Sequence, residues 1–397
     1  MDISEWNKKV DEWLKSQEDK AGEERRAEWP PDKLGLRGGI EDRIATPDRI
    51  GDYAHMMGDP NPLWGNQDYA RETRWSGIIA PPTFENTIGT PFDYYEIYKL
   101  PGTFTITDAG ISREYFTVIR PLDEFTATDI YIGVREIPES RKPYRRFIQQ
   151  IERTYYNQRH EKVAVVTRDT AIIADAPGDK YSLFRELYGG IKRPRYTSAD
   201  LEEIYQSYED EFAGKYRRGD NPRYWEDTRE GDNIHSLIFG PLGDADSQYI
   251  FRTGHGRSFG LKWATIKHDL DRAVTDPETG EYMYFLERHF SDRMAREVGF
   301  PHAVGVAMQN EVCVVHAITN WMGDDGFIMK FDLRHEGMNF QGDVTRVYGT
   351  VKRKYTDKNN HLVDLEAWSE CQDGRPITKG IVTVQLPSNE KVNINLT

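Results

Sequence analysis

The chain has 397 residues, 38% apolar and 12% aromatic, which supports packed cores and exceeds the usual size of one, so two domains are expected. Its 52 Lys and Arg against 66 Asp and Glu give a formal charge of −14, which argues against nucleic acid or an anionic membrane as the main partner. Two cysteines are too few for a disulfide framework or a structural zinc site, and neither a run of roughly 20 apolar residues nor a secretion signal is visible, so a cytoplasmic location is expected.

In chain order, residues 1–26 place Ile3, Trp6, Val10, Trp13 and Leu14 on one helical face, which predicts an amphipathic helix docked on the body or on a partner subunit. A second helix begins at Thr46-Pro47, an N-cap followed by proline at the first helical position, with Ile50, Tyr53, Ala54 and Met57 at helical spacing. After it comes the turn cluster Asp59-Pro60-Asn61-Pro62, and a longer helix is expected to follow. Alternating runs at 125–134, 146–156 and 163–174 predict strands, with Asn157 to Glu161 as a turn. Residues 179–220 are charged and rich in tyrosine, with two helical patches, and read as a linker.

The second half repeats this order. Tyr249 to His255 aligns with Tyr53 to Asp59, and Met294-Ala295-Arg296-Glu297 aligns with Tyr69-Ala70-Arg71-Glu72. A helix from Ala303 to Trp321 is apolar on most sides, so it should be buried, and it stops at the turn Gly323-Asp324-Asp325-Gly326. Strands are predicted at 327–334, 345–355 and 377–386, with a turn at 372–375. A buried helix followed by antiparallel strands is an α+β layer arrangement in which a sheet wraps one helix. The expected organisation is therefore 1–26 N-terminal helix, 27–178 first domain, 179–220 linker and 221–397 second domain.

The segment Tyr53-Ala54-His55-Met56-Met57-Gly58-Asp59-Pro60-Asn61-Pro62-Leu63-Trp64 resembles the signature loop of the MaoC-like (R)-specific enoyl-CoA hydratases and dehydratases. Tyr69-Ala70 and Gly77 to Pro82 look like its continuation in N-terminal dehydratase domains. His289, followed by Ala295 and by Gly299-Phe300, looks like the far end of the same signature in the second half. The resemblance implies a tandem double hot-dog, two antiparallel sheets each wrapped around a long central helix. It also implies a hydro-lyase acting on an enoyl or 3-hydroxyacyl thioester, with coenzyme A as part of the substrate and no further cofactor.

In that family an aspartate and a histidine five residues later hold one water, which must be deprotonated while an acid delivers a proton to the α-carbon. This chain departs from the pattern in both halves. Asp59 is followed by Trp64 where the histidine belongs, and His289 is preceded by His255 at the aspartate position, 34 residues earlier rather than five. The catalytic candidates are therefore His289, His255 and Asp59, with Asp269, Asp271, Asp276 and Glu287 available as carboxylates in the insertion. Asp59 also has a plain role as the cap of a tight turn.

Backbone N–H groups at the start of the buried helix, around Gly305, would face the developing enolate oxygen. Asn61, Trp64, Gly305, Arg257 and Arg113 are the expected substrate-binding residues, with Lys262, Arg288 and Arg334 as further cations for phosphates. His302 and His316 read as satisfied histidines beside or within the core. No cluster has metal-ligand spacing, and no glycine-rich nucleotide loop is present. Two other readings stay open: a non-catalytic acyl-CoA binding or partner subunit, and a hot-dog thioesterase. Because two halves can pair within one chain, a monomer and a homodimer are both allowed.

Overall fold

The computed structural model describes residues 1–26, 43–88, 99–138, 143–247 and 273–389. Helix α1, Ile3–Glu18, begins where the Asp2 carboxylate accepts from the Glu5 N–H at 2.8 Å. Trp6, Val10 and Trp13 are buried against Phe147, Ile172 and Ala174 of the sheet. Ile3, expected on the same face, is 61% exposed, because contact with the body begins only at Trp6.

Helix α2, Pro47–Met57, has the predicted start, with Thr46 Oγ1 accepting from the Arg49 N–H at 3.3 Å. It ends at Gly58, whose φ of 64° is the left-handed conformation that lets the chain turn sharply into Asp59. A short 3-10 turn, Pro62–Trp64, and helix α3, Gln67–Glu72, complete this loop.

Five strands follow or precede it in the first half: β1 (Glu24–Arg26), β2 (Phe104–Tyr115), β3 (Phe125–Glu136), β4 (Tyr144–Asn157) and β5 (Lys162–Asp175). The second half contributes β6 (Leu237–Phe239), a small hairpin β7 (Ala273–Thr275) and β8 (Tyr282–Tyr284), then β9 (Phe327–His335), β10 (Thr345–Asp357), β11 (Asn360–Cys371) and β12 (Pro376–Gln385). Apart from the hairpin these form one ten-stranded sheet in the order β1-β3-β4-β5-β2-β9-β12-β11-β10-β6. Read inward from either edge the order is the same, so the internal repeat of the sequence is a repeat of topology.

The two sheets expected as separate are fused where β2 pairs antiparallel with β9, from Gly110 opposite Arg334 to Glu114 opposite Lys330. Left unpaired, each of these strands would expose a row of N–H and C=O groups, and pairing them satisfies both edges.

Between the hairpin and β9 lie helix α6, Asp292–Glu297, and helix α7, Ala307–Met322, with α4 (Ser182–Tyr188) and α5 (Ser198–Phe212) earlier in the chain. The Ala-Arg-Glu repeat falls on α3 and α6, and both alanines, Ala70 and Ala295, are fully buried. α7 is buried on nearly every side, and Val315 and Ile318 pack in one core with Phe331, Val347, Val363 and Leu365.

α7 starts at Ala307 rather than at Ala303, because Val304 bridges Phe340 and the Gly305 N–H bonds the Asn339 carbonyl at 2.8 Å. Where the first half is expected to carry its longer helix, the described residues show a 3-10 turn, Phe84–Thr87, and residues 89–98 lie outside them.

The segment expected as a linker packs on the second half. Leu183 and Phe184 of α4 share a cluster with Phe300 and Phe340, which Tyr144 and Ile173 of the first half also join, and Ile204 of α5 meets Ile238 and Val344.

The junction is intolerant of side-chain volume at Gly110, where an added Cβ would stand 2.8 Å from the Leu333 carbonyl oxygen. Gly110→Val is therefore expected to destabilise the chain by about 1–3 kcal/mol. Denaturant unfolding checks this, and a midpoint equal to that of the unmodified chain would contradict it.

Candidate active site

The turn after Gly58 buries Asp59 and gives both of its oxygens a partner. Oδ1 accepts from the Asn61 N–H at 2.9 Å and Oδ2 from Trp64 Nε1 at 2.8 Å. Trp64 thus keeps an N–H where the family places a histidine, but an indole cannot take or give a proton near neutrality. Asp59, expected among the catalytic groups, is thus a buried residue of the turn with both oxygens engaged.

Asn61 is likewise engaged: its Nδ2 donates to Asp324 Oδ1 at 2.9 Å and its Oδ1 accepts from the Leu63 N–H at 3.0 Å. Asp324 also accepts from the Tyr69 hydroxyl, and its carbonyl from Trp75 Nε1 at 2.7 Å. A narrow cleft beside this loop runs between the halves. It is lined by Trp64, Ile79, Val118, Ile119, Phe327 and Ile328, with Asn61, Glu85 and Asp324 among its polar groups.

Behind Asp59 stands His316 of α7, fully buried, with Nε2 at 3.8 Å from Asp59 Oδ1 and 3.0 Å from Glu211 Oε1. Asn320 Nδ2 donates to the same Glu211 oxygen at 2.7 Å. Burial alone would push the imidazole pKa down. Asp59 and Glu211 outweigh that and hold it above its ordinary value. Glu211, raised by burial, is held below the usual carboxylate range by His316. Sequence reading had His316 as a satisfied histidine, but not that its partners come from the first half and from α5.

Arg113, expected near a pocket mouth, points inward instead. Its side chain is wholly buried, ion-paired with Glu85, and donates to Glu311 Oε1 and to Asn86 Oδ1, both at 2.8 Å. The Tyr115 hydroxyl donates to Glu85 Oε1 at 3.0 Å, and Asn86 Nδ2 to Glu311 Oε1 at 2.7 Å. Its charge is consumed by two carboxylates, one from each half, and serves no phosphate. Arg334 pairs with Asp169, and Asp276 caps the turn before β8 while pairing with Arg293.

At the other end of α7 the second-half candidate is differently placed. His289 closes a 3-10 turn, Phe285–His289, and is 8% exposed. Its Nδ1 lies 2.8 Å from the Val304 carbonyl, so Nδ1 carries a proton and Nε2 is left as the basic nitrogen, which accepts from Arg288 Nε at 3.3 Å. Leu286 and Phe290 on either side pack on Val306 and Met308, which holds the imidazole against the start of α7. Val306, the N-cap, makes no side-chain capping bond, so the positive end of this 16-residue helix is not neutralised there by a cap.

Gly305, expected to present its N–H to substrate, spends it on the Asn339 carbonyl instead. His255, Arg257, Lys262, Asp269 and Asp271 lie outside the described residues.

Residues 38–166 match the family described as FAS1-like, dehydratase domain region. No curated protein matches the sequence. Among solved structures, one named MaoC-like dehydratase has a TM-score of 0.62 at 14% identity, over 94% of this chain and 99% of that one. A MaoC domain dehydratase from Chloroflexus aurantiacus has a TM-score of 0.54 at 13% identity, over 93% and 96%. A Mycobacterium tuberculosis protein described as having a double hotdog fold has a TM-score of 0.54 at 10% identity, over 92% and 96%.

The chain has the double hot-dog fold of the MaoC-like dehydratases. In this double hot-dog the first half carries the matched dehydratase region, yet its signature loop is locked by Trp64. The second half holds its imidazole against a helix start.

Two outcomes test these assignments. The raised pKa of His316 means that its stabilisation is fully present below its unfolded value of 6.5 and is lost as pH rises through the higher folded value. As pH rises above 6.5, unfolding free energy should therefore fall more in the unmodified chain than in His316→Gln; equal slopes would sink the cluster. Arg113→Met, which leaves two buried carboxylates without a cation, should cost about 3–5 kcal/mol, measured by denaturant unfolding.

Proposed function

We propose that the protein is a hydro-lyase that reversibly adds water to an enoyl thioester, or removes it from a 3-hydroxyacyl thioester, with coenzyme A carried as part of the substrate. The observation that carries this reading is the buried His289, its Nδ1 held on the Val304 carbonyl at the uncapped start of α7. The dehydratase region at residues 38–166 and the fold shared with MaoC-like dehydratases support the reaction class.

In the hydration direction, His289 Nε2 exchanges its contact with Arg288 Nε for water and accepts a proton from it as the hydroxyl oxygen bonds to the β-carbon. The electron pair of the double bond moves toward the thioester oxygen, which faces the amides and positive dipole of α7. A proton is then returned to the α-carbon, so that one water is added across the double bond. We assign His255 as the second proton-handling group. The apolar cleft between the halves, beside the Asp59 loop, is the place for the acyl chain, a binding role that the locked loop favours over chemistry.

His289→Ala should lower turnover of an enoyl-CoA by about a hundredfold or more, followed by loss of enoyl ultraviolet absorbance, with circular dichroism unchanged. Asp59→Asn, in the locked loop, should leave the turnover of the folded protein within severalfold. Near-normal hydration by the His289 variant, or release of free thiol in place of hydrated product, would overturn the reading.

A further inference from the structure

A second cavity lies where the chain between Lys215 and Leu237 passes over the C-terminal half of α7. Lys215, Arg217, Arg218, Arg223 and His235 line it, and no Asp or Glu does. Lys215 pairs with Asp210. The three arginines have no salt-bridge partner among the described residues and hold only neutral backbone oxygens. Arg217 donates to the Pro60 carbonyl at 3.3 Å, Arg218 to that of Pro222 at 2.9 Å and Arg223 to that of Trp321 at 2.7 Å.

A guanidinium has five N–H donors, so most of this donor capacity is uncommitted. Arg217 Nε and Arg218 Nε are buried with no acceptor. Arg223 lies over the Trp321 ring at 4.4 Å, and burial together with Arg218 pushes its pKa down to about 10, against the pull of Asp232. In a chain with 66 carboxylate side chains against 52 Lys and Arg, these three clustered arginines have no carboxylate in salt-bridge contact among the described residues, Glu211 and Asp232 acting on Arg217 and Arg223 only at longer range, and their mutual repulsion is a cost that a bound anion would reverse.

We propose that this cavity is a binding site for a compact phosphoryl anion, held by Arg217, Arg218 and Arg223. The planar fork of a guanidinium matches two oxygens of a phosphoryl group, and a multiply charged anion offsets the mutual repulsion of the cations. The site stands apart from the thioester chemistry proposed above and is read out by binding alone. Arg217 also holds Pro60 of the Asp59 loop, so an occupied cavity steadies that loop and raises the melting temperature.

The test is calorimetric titration of the full chain at low salt with sodium pyrophosphate and, separately, with adenosine diphosphate. Saturable one-site binding is expected, falling as salt rises. Arg218→Gln and Arg223→Gln should each weaken it by about tenfold or more. Arg185→Gln, in a different basic cleft, should leave it unchanged.

Should the arginine variants fail to fold, Lys215→Glu changes a side chain that is 58% exposed and places a carboxylate at the rim, which should abolish binding. Comparable affinity for both titrants marks the phosphoryl group itself as the ligand, preference for pyrophosphate a free anion, and preference for the diphosphate a nucleotide-borne one; each supports the site. No saturable binding of either titrant by the unmodified chain, or undiminished affinity in the folded variants, would overturn it.

Discussion

The pairing of β2 with β9 is the contact on which the remaining geometry depends. It turns two half-sheets into one surface, and it sets the first half at a fixed height against α7. Opposite Phe331 on that pair stands Arg113, whose guanidinium collects Glu85 from its own half and Glu311 from α7. A buried ion cluster of this kind contributes little net stability against an apolar alternative, but it penalises every arrangement that separates its members. The register of the junction and the cluster therefore reinforce each other. A slip by one residue would turn Arg113 to the opposite face and leave two carboxylates buried without a cation.

The same logic explains the state of the first-half loop. With tryptophan in place of histidine the loop loses its titratable nitrogen yet retains a donor for Asp59, so the carboxylate stays satisfied. Its charge is balanced from behind by His316, which Glu211 and Asn320 hold in place. Every polar group that hydration would require to move is committed to a packing contact. What survives beside it is an apolar cleft, suited to holding a chain of methylene groups and ill suited to activating water.

Much of this was legible in the sequence where local rules dominate. Thr46-Pro47 and Gly58 mark the two ends of α2, and six strands lie within a few residues of their alternating runs. The three-residue strands β1, β6, β7 and β8 were not predicted, nor were the long strands β2 and β11. β11 alternates small or apolar residues with Asp364, Glu366 and Glu370, charges that face outward and dilute the pattern, and β2 carries Asp108 and Arg113. Ion-pair partners were invisible for a different reason: Arg113 to Glu311 and His316 to Asp59 join residues far apart in the chain, and nothing local distinguishes an arginine that will be buried from one at a pocket mouth. The helix start at Ala307 was also hidden, because the apolar run continues unbroken through Ala303 to Val306 and only the bridge to Phe340 stops it from being helical.

The asymmetry between the halves follows from where charge is buried. Along α7, Glu311 and His316 are each neutralised by groups from outside the helix, and the C-terminal end meets Asp324 with its own set of donors. The N-terminal end has no side-chain cap at Val306, and His289 is held beside it on the Val304 carbonyl. A capping carboxylate there would stabilise the helix, as it does at α1, and would at the same time cancel the field that a developing oxyanion could use. Leaving that end without one gives up roughly a kilocalorie per mole of capping energy. An imidazole fixed by its Nδ1 proton tolerates the positive field in its neutral form, and in the reaction proposed its Nε2 would exchange the contact with Arg288 Nε for water. The helix start is thus less stable than it could be, and the missing stability is located where a negative charge would form during the reaction proposed for it.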